Sequence, residues 1–223
     1  MRKIFALAAA VASIPSLAAA QNVTTGFYAE LGIGLSLIQD VKTEPFSLGT
    51  PLGTLSGTFD TEYSSPQGVF GAEVGFAAER WRFGIGYDWM DAPIDKASFS
   101  GTFNGSPLNV DISKSDLKTL GVETDSAFMI AAGNIYYKLS PPNSPIEPYL
   151  GVGAGAAFAQ NASTELALSA TAGARFAITR RAYVGARYRF TYIGGPKSDD
   201  GLKYEDVLIH MISVQLGMYF GSS

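Results

Sequence analysis

Three features of the 223-residue sequence predict an all-β chain, folded as an eight-stranded antiparallel up-and-down transmembrane β-barrel with extended extracellular hairpins. Hydrophobicity alternates with a period of two in eight segments. One face of each segment is apolar and uncharged, and the opposite face combines glycine with isolated charges. The pattern is plainest from Val69 to Trp89. Phe70, Ala72, Val74, Phe76 and Ala78 share one face, and Gly71, Glu73, Gly75 and Ala77 the other. After a break at Glu79 and Arg80, Trp81, Phe83, Ile85, Tyr87 and Trp89 alternate with Arg82, Gly84, Gly86 and Asp88. A period of two is the mark of a strand, and two such runs joined by a tight turn form a hairpin. A soluble sheet would carry many Lys, Glu, Thr and Ser on its wet face. A membrane barrel instead turns apolar residues to lipid and small or polar ones to its lumen.

The ends and the composition agree with this reading. Residues 1–20 read as a signal peptide and residues 21–223 as one outer-membrane β-barrel domain. Arg2 and Lys3 form a basic start, Ile4 to Ala12 an apolar stretch, and Ala18 to Ala20 a small-residue cleavage site. Ser13, Pro15 and Ser16 interrupt the apolar run, which is too short for a membrane anchor. Without Arg2 and Lys3 the chain is more acidic still than its formal net charge of −4, and offers nothing to nucleic acid. Cysteine is absent, which excludes disulfides and thiolate metal sites. The chain is 47% hydrophobic and 16% charged, yet no later run approaches the roughly 18 apolar residues of a spanning helix. In lipid, the alternative to a helix is a closed sheet.

Taken in order, the first strand runs near Gly26 to Leu37, with Phe27, Ala29, Leu31, Ile33, Leu35 and Leu37 on its apolar face. A long polar stretch, Gln39 to Gln67, leads to the Val69–Trp89 hairpin, and a second, Asp91 to Asp125, follows it. The fourth strand (Ala127 to Leu139) and the fifth (Pro148 to Phe158) are joined by a proline-rich turn. After a loop at Gln160 to Glu165, the sixth strand runs from Leu166 to Ile178 and turns tightly at Thr179–Arg181 into the seventh, which starts at Ala182. A loop from Gly194 to Glu205 precedes the eighth, Val207 to Phe220. Long connections are expected after strands one, three, five and seven and short turns after two, four and six, the asymmetry of a barrel shuttling between cell surface and periplasm. Ala97 to Ser100 before Asn104-Gly105 and Leu108 to Ile112 after it read as a hairpin. Strands two to four are therefore expected to extend beyond the bilayer, with loops one and two forming a protruding sheet. Both loops carry a Ser-Gly-Thr-Phe segment, at Ser56 and at Ser100.

The eight apolar faces contain no Asp, Glu, Lys or Arg. Arg or Lys at mid-bilayer costs about 2–4 kcal/mol, so these faces suit lipid. A soluble barrel would have to pack the aromatic face inside, where an eight-stranded lumen has no room for it. The inward charges are Glu30, Glu73, Arg82, Asp88, Arg175, Arg187 and Arg189, with Lys138 near the periplasmic rim. Glu73, Asp88, Arg187 and Arg189 fall near mid-height, where they are expected to pair and close the lumen, since buried charges persist only when paired. The rival reading is an ion-selective constriction in an open pore. Trp81, Trp89, Tyr87, Tyr137, Tyr188, Tyr192 and Phe220 are expected near strand ends, as an interfacial girdle. Catalytic, cofactor and metal residues are expected to be absent. The single histidine, His210, reads as an interfacial residue, and Ser213 falls on the opposite face from it.

Val214 to Phe220, Gly185-Ala186-Arg187-Tyr188-Arg189, Glu147 to Gly153 and Gly133 to Tyr137 carry a family likeness. Together they resemble the strands of the OmpA/OmpX and opacity-protein group of small surface antigens. The resemblance implies insertion by the barrel-assembly machinery, with Leu216, Met218 and Phe220 as the C-terminal assembly signal, although Gly221-Ser222-Ser223 follow it. A peptidoglycan-binding domain is not expected after the barrel. The expected function is that of a non-enzymatic surface barrel, monomeric in outer-membrane lipid and lipopolysaccharide. It would support the envelope and meet host or surface ligands through loops 40–67 and 91–125. A narrow passive channel and a lipid A-modifying barrel enzyme are the alternatives.

Overall fold

The computed structural model describes residues 25–121, 124–141, 144–159, 163–197 and 203–220. The expected signal peptide and Gly221-Ser222-Ser223 lie outside them. In chain order the described residues form β1 (Thr25–Ile38), β2 (Val41–Lys42), β3 (Phe46–Thr50), β4 (Gly53–Tyr63), β5 (Gln67–Ala78), β6 (Trp81–Asp91), β7 (Ile94–Phe103) and β8 (Ser106–Ser113). A short helix, α1 (Lys114–Thr119), precedes β9 (Ala127–Lys138), β10 (Ile146–Ala159), β11 (Glu165–Ala177), β12 (Ala182–Ile193) and β13 (Val207–Phe220). The eight alternating segments of the sequence are β1, β5, β6 and β9 to β13. They close into an antiparallel barrel of order β1-β13-β12-β11-β10-β9-β6-β5. The seam is complete: β1 pairs with β13 from Phe27↔Phe220 to Ile38↔Ile209 and with β5 from Thr25↔Ala78 to Ser36↔Gln67. Closure leaves the bilayer no strand edge with unpaired backbone groups.

Alternation decides which side chain goes where. In β6 every odd residue from Trp81 to Asp91 is exposed and every even one from Arg82 to Met90 is buried. Ile85 is 73% exposed and Arg82 0%. Large inward side chains fit because glycine stands opposite them. Tyr28 pairs with Gly75, Tyr136 with Gly151, Tyr149 with Gly173 and Tyr183 with Gly217. In each pair a Cβ on the glycine would collide with the tyrosine, so the phenol lies across bare backbone. That is the close approach only glycine permits.

The lumen departs from the uniformly polar interior that the Gly-and-charge pattern suggested. Its outer half is apolar. Val69, Met90, Phe128, Ile130, Ala157, Ile193, Ile209 and Met211, all inward-facing, form one buried cluster with Ile38 and Val41. The strand ends that supply these residues blur into the loops in sequence, so the change from charged to apolar along each inner face is hard to see there.

Above this plug the loops continue the barrel wall. A second sheet of order β2-β4-β7-β8, with β3 also on β4, stands over β1, β5 and β6. The loop before β13 joins it through the Thr43↔Tyr204 bridge and the bonds Glu44 N to Lys203 O and Glu205 N to Lys42 O, both 2.7 Å. The Ser-Gly-Thr-Phe repeats pair with each other, Ser56↔Thr102, Gly57↔Gly101 and Thr58↔Ser100, about a local twofold between the glycines. The protruding sheet thus follows the sequence reading, with three corrections. The barrel strands do not run on unbroken: Ser64–Pro66 separates β4 from β5, and Ala92-Pro93 separates β6 from β7. The fourth barrel strand is not extended, because α1 occupies the loop before it, capped by Ser113, whose hydroxyl accepts from Asp116 N. The connection after the fifth barrel strand is not long either; residues 160–164 suffice.

The β7–β8 hairpin turns at Asn104 (φ 50°) and Gly105 (φ 80°), both left-handed, as a two-residue turn between twisted strands requires. Gly105→Val places a β-branched residue in that region and is expected to destabilise the hairpin by about 1–2 kcal/mol. Hydrogen exchange will read this as faster exchange of β7 and β8 amides with β5 and β6 unchanged.

Candidate functional site: a filled lumen beneath a two-faced sheet

The inner half of the lumen is filled by charge. Four carboxylates (Glu30, Glu73, Asp88, Glu147) meet Arg82, Arg175, Arg187, Arg189 and Lys138, all of them buried. Glu30 is the hub on the periplasmic side. It lies 3.4 Å from Arg175 Nε, 3.5 Å from Arg187 and 3.6 Å from Arg82, and accepts a hydrogen bond of 2.7 Å from the Tyr183 hydroxyl. Glu73 is the hub at mid-height. Its carboxylate accepts from Tyr28 (2.6 Å), Tyr136 (2.5 Å) and Asn134 (3.0 Å), and lies 3.8 Å from Arg189 and 4.0 Å from Arg187. Asp88 pairs with Arg189 and, at 3.7 Å, with Arg187. Arg187 thus touches both hubs and joins them.

Aromatic rings complete the packing. The Arg82 guanidinium lies 3.6 Å from the centroid of Tyr28 and donates to Tyr183 at 2.8 Å, and Arg175 lies 3.7 Å from the centroid of Tyr149. Cation–π contact and charge-assisted hydrogen bonds are the terms that let guanidinium groups survive burial. Between the ionic layer and the apolar plug, a cavity of about 10 Å³ is lined by Gly32, Asp88, Arg187, Arg189 and Met211 among others. That is room for about one water molecule.

All seven charges singled out in the sequence therefore sit in one network. Sequence reasoning missed Glu147, which bridges Arg175 (3.3 Å) and Lys138 (3.2 Å). Its parity with Tyr149 and Gly151 is the available signal, which a strand beginning at Pro148 leaves out and the observed start at Ile146 includes. The inward tyrosines were visible by alternation but carried no charge to mark them. Leu216, Met218 and Phe220 face outward and pair with Leu31, Ala29 and Phe27 across the seam. Among the aromatics, Trp89 and Tyr192 lie toward the extracellular ends, and Trp81, Tyr137 and Phe220 at the periplasmic ends. Tyr87 and Tyr188 correct the girdle: both sit mid-strand, and the Tyr188 hydroxyl lies 2.8 Å from His210 Nδ1. His210 also lies against Phe190 (ring centroids 5.2 Å apart), and Ser213 is buried on the opposite face.

The extracellular sheet has two unlike faces. Pairing places Phe46, Leu55, Phe59, Phe99, Phe103 and Val110 on one side, and Ser56, Thr58, Asp60, Ser98, Ser100 and Asn109 on the other. The apolar side continues the inner surface of the barrel, since Val41 belongs to the lumen plug and Tyr63 and Tyr204 pack against it. Phe46, Phe59 and Phe99 stack on one another with centroids 5.1–6.1 Å apart. Farther out, Leu48, Phe103 and Val110 are exposed. The wall thus reverses its hydropathy where it leaves the bilayer: apolar outside within lipid, polar outside above it. On the polar side, the Ser98 hydroxyl and then Lys96 hold the Asp111 carboxyl below the usual carboxylate range. That pin is complete at neutral pH and is lost as pH falls through the depressed value.

Glu30→Gln leaves Arg82, Arg175 and Arg187 without their shared carboxylate. It is expected to cost about 3–5 kcal/mol in urea unfolding of the detergent-folded barrel. Lys42→Met, which removes an exposed partner of Asp60 (3.3 Å), should cost at most about 1 kcal/mol.

A family model described as outer membrane protein beta-barrel domain matches residues 4–220. No curated protein sequence matches the chain. Among solved structures, Neisserial surface protein A is similar, with a TM-score of 0.52 and 18% identity over 87% of this chain and 97% of that one. Ail of Yersinia pestis, solved with the heparin analogue sucrose octasulfate, has a TM-score of 0.39 and 11% identity over 89% of this chain and 100% of its own. The outer membrane protease OmpT of Escherichia coli has a TM-score of 0.40 and 8% identity over 93% of this chain and 100% of its own. At such identities the likeness to Neisserial surface protein A is one of fold. A closed eight-stranded barrel, greasy outside and filled inside, and a family match along nearly the whole chain agree: this protein belongs to the outer membrane protein β-barrel domain family and resides in the bacterial outer membrane.

Proposed function

We propose that this protein is a non-conducting, non-enzymatic surface barrel that stiffens the envelope and offers its extracellular sheet to other molecules. One observation carries the reading: the lumen is filled by an ionic layer and an apolar plug, while loops one and two form an ordered sheet with Leu48, Phe103 and Val110 exposed on its apolar side. An ordered sheet presents a fixed surface without the entropic cost of ordering loops on binding. Partners through loops 40–67 and 91–125 would meet this face rather than the β8 edge. Pro107 and Asp111 blunt that edge against an added strand. In this reading the barrel is a monomer, inserted by the barrel-assembly machinery and surrounded on its outer side by lipopolysaccharide.

A channel would need a continuous wet path, which the plug supports poorly. A lipid A hydrolase would need a nucleophile beside a base, whereas His210 has Tyr188 beside it and Ser213 behind it. In planar bilayers the purified protein is expected to show no sustained conductance steps, and lipid A from a deletion strain should be unchanged by mass spectrometry. Cells displaying a Leu48→Ser, Phe103→Ser, Val110→Ser triple variant should adhere to one another and to protein-coated surfaces severalfold less than cells displaying the parent at equal surface density. Equal adhesion would remove the contact role.

A further inference from the structure

On the lipid-facing surface, near the periplasmic end, a groove of about 760 Å³ crosses β1, β5, β6 and β9. Registration explains it. One outward row reads Phe27↔Phe76, Phe76↔Phe83, Phe83↔Ile135, and the next reads Ala29↔Val74, Val74↔Ile85, Ile85↔Gly133. Between the rows the side chains of Tyr28 and Asn134 point inward and Gly75 and Gly84 have none, so bare backbone forms the floor. The aromatic row makes the lower wall, and Ala29 and Gly133 leave the two ends of the upper row low. Across four strands spaced about 4.8 Å the groove is about 14 Å long, a scale suited to an acyl chain.

One row nearer the periplasm stands a polar anchor. Trp81 packs edge-on against Tyr137 with centroids 4.9 Å apart, and the Arg80 side chain donates to the Tyr137 hydroxyl at 3.1 Å. Arg80 is exposed and makes no ion pair among the described residues; Glu79 adjoins it in the turn. A cation beside interfacial Trp and Tyr, directly beneath an apolar slot, is chemistry for a phosphate joined to a hydrocarbon tail. Short turns mark this end as periplasmic, where the adjoining leaflet is phospholipid.

We infer that the barrel holds one glycerophospholipid of the periplasmic leaflet, with its phosphate on Arg80 and one acyl chain in the slot between Phe83 and Ile85. The site is independent of the contact face on the extracellular sheet and lies at the opposite end of the barrel. Charge selects the phosphate and groove shape selects the tail, so the two determinants separate by mutation. Gly133 is a suitable place to fill the slot: a Cβ there meets only the Ala154 carbonyl oxygen, at 3.9 Å, so leucine is accommodated without disturbing the wall.

The test is native mass spectrometry of the folded, delipidated full-length barrel titrated with phosphatidylglycerol, phosphatidylethanolamine or diacylglycerol of the same chains. Folding of every variant is checked by heat-modifiable gel mobility. The parent is expected to retain one phospholipid at least about tenfold more tightly than diacylglycerol, a step of about 1.4 kcal/mol. Arg80→Gln should bring the phospholipids to the diacylglycerol level, and Gly133→Leu should weaken all three together. Retention that is non-stoichiometric, or equal in parent and both variants, means ordinary annular lipid and overturns the site. Loss with Gly133→Leu but not with Arg80→Gln overturns the phosphate assignment.

Discussion

The structure depends on one constraint: within the hydrocarbon layer no water is available to satisfy a peptide group. Every N–H and C=O in the spanning segments must therefore find a strand on each side, and only closure supplies both. The β1–β13 pairing makes that closure, with the first strand zipped to the last over twelve residue pairs from Phe27↔Phe220 to Ile38↔Ile209. Once closed at eight strands, the barrel has an interior only wide enough for its own side chains. The inner face must fill that volume at close packing with whatever alternation delivers there.

Two chemical solutions fill it. In the inner half, Glu30 and Glu73 gather guanidinium and phenol groups, and glycine opposite each of four tyrosines clears the space for the rings. Such a network is costly to break because removing one member strands several others without a partner. In the outer half the charges give way to Val69, Met90, Ile130, Ile193 and Ile209, an ordinary apolar core. The same core runs upward into Val41 and Tyr63 and so anchors the extracellular sheet. Lumen and extracellular sheet pack as one body among the described residues, which is why loops one and two carry β2 to β4, β7 and β8.

The hydropathy reversal at the bilayer edge follows from the same reasoning. Below Asp91 the outside of the wall meets acyl chains, and Trp81 to Trp89 present rings to them. Above Ile94 it meets water, and Ser98, Ser100 and Thr102 take that side, while Phe99 and Phe103 turn toward the axis. The break at Ala92-Pro93 lies between the two regimes.

The number of barrel strands, their order and the face each of their residues takes were legible in the sequence, because a period of two needs no distant information. Phe83 faces lipid and Arg82 the lumen whatever their neighbours are. The Asn104-Gly105 turn was legible for the same local reason. What only the tertiary structure decided was which inward groups meet. Arg187 joins Glu30 to Glu73 because barrel closure sets β12 two strands from β1 and three from β5 around one narrow lumen, and no sequence spacing encodes that proximity. The apolar plug and the pairing of the two Ser-Gly-Thr-Phe segments were hidden likewise. Each depends on contacts between residues tens of positions apart, and alternation fixes a side chain's direction without fixing its height.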